Sequence, residues 1–321
     1  MRNATSPHHR TTDLARLHEA FVNEQRYAAR SAPATLAAYR TSFQLFMKLL
    51  PHVTVDQLTP ETLTEFFRRL ETRRRPVGNG ERVGVMASTV ATHRGKLGRF
   101  FSWLAAQGHL TENPFTAMPY PRVEYEGREY LGKAEIDRIF AALVLAASGH
   151  TRFHRRRNVA LFATLLYAGL RRGELLGLRL GDLNLERREL SVRAETSKSR
   201  TGRVVPMNAA LSQALEDYLA ERRTLPLMHP QLFVTETGSP LTLPGLIQLT
   251  HRINERSGVR FHLHQFRHTF AVNFLHQSGD VAKLKQLLGH RDIRMTSGYL
   301  RRLPTTAMRS NVEALTLDTL L

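Results

Sequence analysis

Three separated segments carry side chains able to bind anions, move protons or attack an electrophile. The first is Tyr167-Ala168-Gly169-Leu170-Arg171-Arg172-Gly173-Glu174-Leu175-Leu176, where a glycine follows an apolar helical run and a carboxylate stands three residues after Arg171. It reads as a helix C-cap leading into a new helix that presents Arg171, although in isolation a surface Arg–Glu pair is the simpler reading. The second is His262-Leu263-His264-Gln265-Phe266-Arg267-His268-Thr269-Phe270-Ala271. At helical spacing His264, Arg267 and His268 share one face while Phe266 and Phe270 lie on another. His264 and His268 have the spacing of some zinc sites, but no glutamate completes that motif and Arg267 between them would repel a dication. One histidine as a cap and the other packed is the reading that needs no chemistry. The third is Leu287-Leu288-Gly289-His290-Arg291-Asp292-Ile293-Arg294-Met295-Thr296-Ser297-Gly298-Tyr299. Gly289 ends an apolar helix and puts His290 at the joint. Tyr299 follows nine residues after His290, where a lone tyrosine is usually a packing residue.

Composition narrows the partner. The chain of 321 residues has 46 basic and 28 acidic residues, a net charge of +18. Up to Tyr120 there are 16 basic against 9 acidic residues, and beyond it 30 against 19, so both halves are basic. Such an imbalance costs self-repulsion unless a polyanion neutralises it, which points to nucleic acid. With no cysteine there is no disulfide framework, thiolate zinc site or cysteine nucleophile. No apolar run spans a bilayer and the first residues lack a signal-peptide core, so the expectation is a soluble, intracellular protein.

The elements that must position these residues fall into two sets. In the first half, helical spacing covers Asp13 to Tyr27, then Leu36 to Leu50 between Pro33 and Pro51. Thr59-Pro60 caps a third helix through Leu63, Phe66, Phe67 and Leu70, and a fourth runs from about Ser88 towards Gly108. The run Arg73-Arg74-Arg75-Pro76-Val77-Gly78-Asn79-Gly80 should be an exposed loop. From Asn113-Pro114 to Arg122 an extended, proline-punctuated segment is expected, with the interdomain linker at 119–122. The domains are then 1–118 and 123–321. The second half mixes helices, at about Lys133–Ala147, Arg156–Tyr167, Asn208–Arg223, Leu243–Arg256, His264–Gln277, Val281–Leu288 and Thr305–Leu315, with a small antiparallel sheet between Leu190 and Pro206.

Taken together and in order, the three segments resemble the tyrosine recombinases, or phage integrases, which include the Xer-type proteins. The family pattern is matched by Ala168-Gly169-Leu170-Arg171-Arg172-Gly173-Glu174-Leu175, by His264-Gln265-Phe266-Arg267-His268, by Leu288-Gly289-His290, and by Tyr299. A lysine on a β-hairpin completes the pattern, and Lys198 in Thr196-Ser197-Lys198-Ser199-Arg200 is the match, with Arg200 and Arg203 close by. The helical first half, with Thr35, Tyr39, Phe43 and Phe46, resembles the family's core-binding domain. Two positions depart from the pattern: Leu300-Arg301-Arg302 follows Tyr299 where Thr-His is frequent, and Thr-Ser-Lys stands where Gly-Lys or Thr-Lys is commoner.

The resemblance implies a mainly α fold with a small antiparallel β-sheet: a helical core-binding domain plus an α+β catalytic domain. It implies site-specific cleavage and rejoining of double-stranded DNA through a 3′-phosphotyrosine, with Arg171, Lys198, His264, Arg267, His290 and Tyr299 as catalytic residues. Glu174 and His268 would support them. No cofactor and no metal are implied. A type IB topoisomerase shares this catalytic logic, and a silent DNA-binding regulator could keep the fold; the box spacings and intact residues favour a recombinase. The resemblance further implies a synaptic tetramer on DNA, room for a second recombinase or accessory protein, and a nucleoid location. In the tail, Met308, Val312 and Leu315 share a helical face, which fits a segment passed to a neighbouring protomer as well as one docked on its own domain.

Two basic halves on a proline-rich joint predict a clamp around the duplex. Log affinity for DNA should fall linearly with log salt, and residues 1–118 and 123–321 tested separately should each give a shallower slope than the whole chain. A slope for one half equal to that of the full chain would remove the clamp.

Overall fold

Proline placement sets where the second and third helices begin. The computed structural model describes residues 7–77, 80–119, 130–145, 151–197, 201–226 and 229–299. It separates into two units, Met1–Glu126 and Gly127–Leu321. In the first unit α1 (Pro7–Tyr27), α2 (Pro33–Leu49), α3 (Pro60–Thr72) and α4 (Ala87–Ala106) pack around one core. α2 and α3 each carry proline in the first turn, where its missing N–H leaves nothing unpaired. Thr59 Oγ1 caps α3 by accepting from Thr62 N–H at 3.3 Å. The buried stripe is mostly aromatic: Phe21, Tyr39, Phe43, Phe46, Phe66, Phe100 and Phe101 interlock, with Phe46 and Phe66 edge to face at 5.1 Å.

Two stretches of this unit differ from expectation. The run after Arg73 is exposed but is not a loop, since β1 (Arg74–Val77) pairs antiparallel with β2 (Gly80–Val83), Arg74 facing Val83. The Gly84 N–H closes the hairpin's base onto the Arg73 carbonyl at 2.8 Å. The segment from Asn113 is not extended either. Buried Arg94 donates to the carbonyls of Phe115 (3.2 Å) and Met118 (2.7 Å), and Asn113 bonds back to the Gly98 carbonyl, so residues 113–118 turn against α4. Of the expected linker, residues 120–122 lie outside the described residues.

In the second unit α6 (Arg152–Ala168) is the central element, buried along most of its length between α5 (Lys133–Val144), α8 (Ala209–Arg222) and α10 (Leu263–Ser278). A short α7 (Arg172–Gly177) leads to the three-stranded antiparallel sheet β3 (Leu183–Asn184), β4 (Glu189–Val192) and β5 (Arg203–Pro206). The register sets Leu190 opposite Val205 and Val192 opposite Arg203, so Leu190, Val192 and Val205 face the core. α9 (Leu243–Ser257), α11 (Val281–Leu288) and α12 (Arg294–Ser297) complete the unit. The helix expected at Thr305–Leu315 lies outside the described residues. Among the described residues, no helix is long and apolar enough to cross a membrane.

One buried group makes the first unit acid-sensitive. His18, 4% exposed, stacks on the Phe43 ring at 3.9 Å and meets the edge of Phe100 at 5.0 Å. Burial pushes its pKa down to about 4, against the pull of Glu19. The unfolded chain takes up this proton near pH 6.5 and the folded chain only near 4, so stability falls as pH drops between those values, by up to about 3 kcal/mol. His18→Phe should remove this loss. Urea midpoints measured from pH 7.5 to 5 should move in the variant's favour as the pH falls.

Candidate active site

The site begins where α6 stops. Gly169 takes φ +60° and ψ 29°, a left-handed cap where a Cβ would overlap the Phe270 ring. This turn frees the Gly169 carbonyl to accept from Arg267 Nη1 at 2.7 Å and delivers Arg171 to the N-cap of α7. Glu174 in the first turn of α7 then reaches back: its Oε2 accepts the Arg171 backbone N–H at 3.0 Å and its Oε1 accepts Arg171 Nη1 at 2.9 Å.

The same carboxylate, 1% exposed, faces two further guanidiniums. Arg203, heading β5, places Nη2 2.8 Å from Oε2 and Nη1 3.2 Å from Oε1, while Arg267 Nη1 lies 3.9 Å from Oε2. The end of α11 supplies the remaining acceptors. Arg203 Nε donates to the Leu287 carbonyl at 2.6 Å and Arg267 Nη2 to the Leu288 carbonyl at 2.7 Å, with Arg171 Nη1 at 3.5 Å from the latter. Gly289 ends α11 at φ +63°, where a Cβ would come within 3.0 Å of Arg203 Nη1. The helix dipole's negative end thus meets three cations.

His290 and Tyr299 close the other side. Arg267 Nη2 lies 3.0 Å from His290 Nε2, and a guanidinium only donates, so Nε2 accepts and the ring proton sits on Nδ1. That Nδ1 donates to Thr296 Oγ1 at 2.9 Å. The Tyr299 ring, 4% exposed, belongs to one apolar cluster with Val272, Leu275, Leu284 and Leu288 and lies parallel to His290 with centroids 6.4 Å apart. His268 lies 5.4 Å from Tyr299 and 4.4 Å from His264, centroid to centroid. Arg171, His264, Arg267, His268, His290 and Tyr299 line one open pocket of about 600 Å³.

Residues 129–305 match the phage integrase family. The chain belongs to that family, the tyrosine recombinases. It is 26% identical over 295 residues to the tyrosine recombinase XerC of Oceanobacillus iheyensis, covering 88% of this chain and 90% of that protein. It is also 26% identical over 297 residues to XerC of Yersinia pestis, with 90% and 91% covered. Among solved structures, the Tn1549 transposon integrase in complex with transposon right end DNA matches with a TM-score of 0.73 at 18% identity, over 92% of this chain and 98% of that one. XerH recombinase bound to a palindromic substrate, a post-cleavage complex, matches with 0.67 at 18% identity, over 91% and 82%. The two structures share this recombinase's fold, mainly helical with a small antiparallel sheet.

Of the residues expected at the recombinase's site, five of those expected to be catalytic line the pocket, Glu174 is bonded to Arg171, and Lys198 lies outside the described residues. His268, expected only as support, lines the pocket beside Tyr299. Arg203 and Thr296 were missed as site residues. Arg203 had a legible signal, because strand alternation puts it on the same face as buried Val205, and a charge on a core face needs a partner. Thr296 had none, since only the fold brings it to His290.

The electrostatics follow from this packing. Burial pushes the Glu174 carboxyl up, but the hydrogen bonds and charge of Arg203, with those of Arg171, outweigh it and hold the pKa at about 2. Burial, then Arg267, Arg171 and Arg203, press His290 down to about 4, so it is neutral at pH 7. Burial and Arg171 lower Arg267 to about 9, still charged at neutral pH. Glu174→Gln keeps the shape and removes the countercharge of three guanidiniums, so unfolding in urea at pH 7 should show a loss of about 3–5 kcal/mol. The stabilisation from a depressed carboxylate is complete above pH 4.5 and lost as pH falls towards 2. The variant should therefore lack that part of the wild-type acid transition.

Proposed function

We propose that this recombinase cleaves duplex DNA by attack of Tyr299 on a phosphodiester and rejoins it to a second end, exchanging strands at specific sites. The carrying observation is the shared pocket of Tyr299, Arg171, Arg267, His264 and His290. Tyr299 Oη forms a bond to phosphorus as the bond to the 5′ oxygen breaks, leaving a 3′-phosphotyrosine and a free 5′ hydroxyl. The phenol proton goes to His264, the exposed histidine of the pocket, and the 5′ oxygen takes a proton from Lys198. Arg171 and Arg267 meet the charge that gathers on the non-bridging oxygens, their guanidiniums already in place. His290, neutral and bonded to Arg267, holds that arginine's fork. Because the phosphotyrosine conserves the bond energy, attack by a second 5′ hydroxyl reverses these steps without ATP. Acting on duplex DNA, the protein would be nucleoid-associated. Two duplexes exchanging strands call for four active sites, with the tail beyond residue 311 joining protomers; that tail lies outside the described residues.

Tyr299→Phe should abolish covalent adduct formation on a nicked suicide substrate while leaving DNA affinity nearly unchanged, because affinity rests on many phosphate contacts. Arg171→Ala and Arg267→Ala should each slow cleavage by about 2–4 kcal/mol. An adduct formed by the Tyr299→Phe protein would show that another residue is the nucleophile. Absence of any adduct from the wild type would favour a silent regulator, and cleavage without junction formation between two duplexes would favour a topoisomerase.

A further inference from the structure

We infer that Arg203 is a positioning residue for leaving-group protonation: it fastens the return strand of the β4–β5 hairpin to Glu174 and the end of α11. Ser197, Arg203 and Arg171 thereby share one carboxylate. This rests on the function proposed above, in which Lys198, the residue after Ser197, protonates the 5′ oxygen.

The argument is geometric. Backbone pairing with Val192 fixes Arg203 at the start of β5. Its side chain, 7% exposed, spends all three guanidinium nitrogens on the protein: two on Glu174 and Nε on the Leu287 carbonyl. On the other side of the loop, Ser197 Oγ donates to Glu174 Oε1 at 3.3 Å. Both flanks of the segment that begins at Lys198 therefore end on one buried carboxylate, which also holds the Arg171 fork. Arg193 ties the outgoing strand down as well, with Nε on Asp182 at 3.1 Å and Nη2 on the Gly177 carbonyl at 2.5 Å. Arg203 does not line the pocket that holds Tyr299, so it acts through these contacts and not on the phosphate. A lysine at 203 would supply one point charge where the site uses a three-nitrogen fork.

The test separates protonation from phosphate activation. A thiolate leaves without help from an acid, so replacing the bridging 5′ oxygen of a suicide substrate with sulfur removes the need for leaving-group protonation. Single-turnover adduct formation is measured with full-length wild type, Arg203→Ala, Arg203→Lys and Arg171→Ala on both substrates. Arg203→Ala should be slowed about 10- to 100-fold on the oxygen substrate, with DNA affinity unchanged, and Arg203→Lys should be intermediate. Both should return to within about threefold of wild type on the sulfur substrate, while Arg171→Ala stays slow on both. Equal slowing of the Arg203 variants on the two substrates, or no slowing on either, overturns the inference. Arg203→Lys keeps a charge beside Glu174, so the comparison stands if Arg203→Ala does not fold. Failure of the wild type to form the Tyr299 adduct on either substrate would instead overturn the underlying function.

Discussion

One buried carboxylate set among three guanidiniums is the constraint on which the second unit is built. Three like charges this close repel, and a side chain as buried as that of Arg267 cannot stay charged without acceptors. Glu174 supplies one full negative charge, and the last carbonyls of α11 supply the partial charge of a helix end. Five elements must meet at that point: α6 with its glycine cap, α7 with its N-cap arginine, the start of β5, the face of α10 that carries Arg267, and the end of α11. The family boxes are separated in the chain because each marks the end or face of a different element. Their meeting is an electrostatic requirement as well as a packing one.

This arrangement also explains how the cations remain useful. A guanidinium carries five N–H donors, and the protein fixes each arginine through only some of them. Arg171 keeps 21% of its side chain exposed beside the pocket, while Arg267 is locked from three sides by Gly169, Leu288 and His290. In the proposed reaction little reorganisation would then be needed as charge develops in the transition state, because their orientation is settled before DNA arrives. A neutral His290 serves the same end, because the proton arrangement that holds Arg267 is the one favoured at neutral pH. Tyr299 is buried in an apolar cluster with residues of α10 and α11.

The first unit solves a different problem. Its core is a run of interlocked aromatic rings, with Arg94 drawing the chain after α4 back onto it. Arg74 and Arg82 are exposed on a hairpin that adds charge without adding core, while Arg75 folds back to donate to the Gly84 carbonyl. Basic residues are therefore spread over both units, in keeping with a polyanionic partner, while among the described residues the second unit gathers three of them around one carboxylate at the candidate site.

Much of this was legible in the sequence. Helical periodicity, Thr59-Pro60, Gly169 and Gly289 mark element ends through local rules of capping and backbone conformation, and those rules act within a few residues. The ordered boxes around Arg171, Arg267, His290 and Tyr299 likewise announced a family and its fold. The β1–β2 hairpin and the turn after Asn113 were missed because each depends on contacts that local propensity does not encode: strand pairing in one, and the reach of Arg94 across 21 residues in the other. The same holds for the Arg203–Glu174 pair, 29 residues apart, and for the proton placement on His290. Which cations share a carboxylate, and which histidine stays neutral, depends on distance and burial in three dimensions, quantities that only the folded chain possesses.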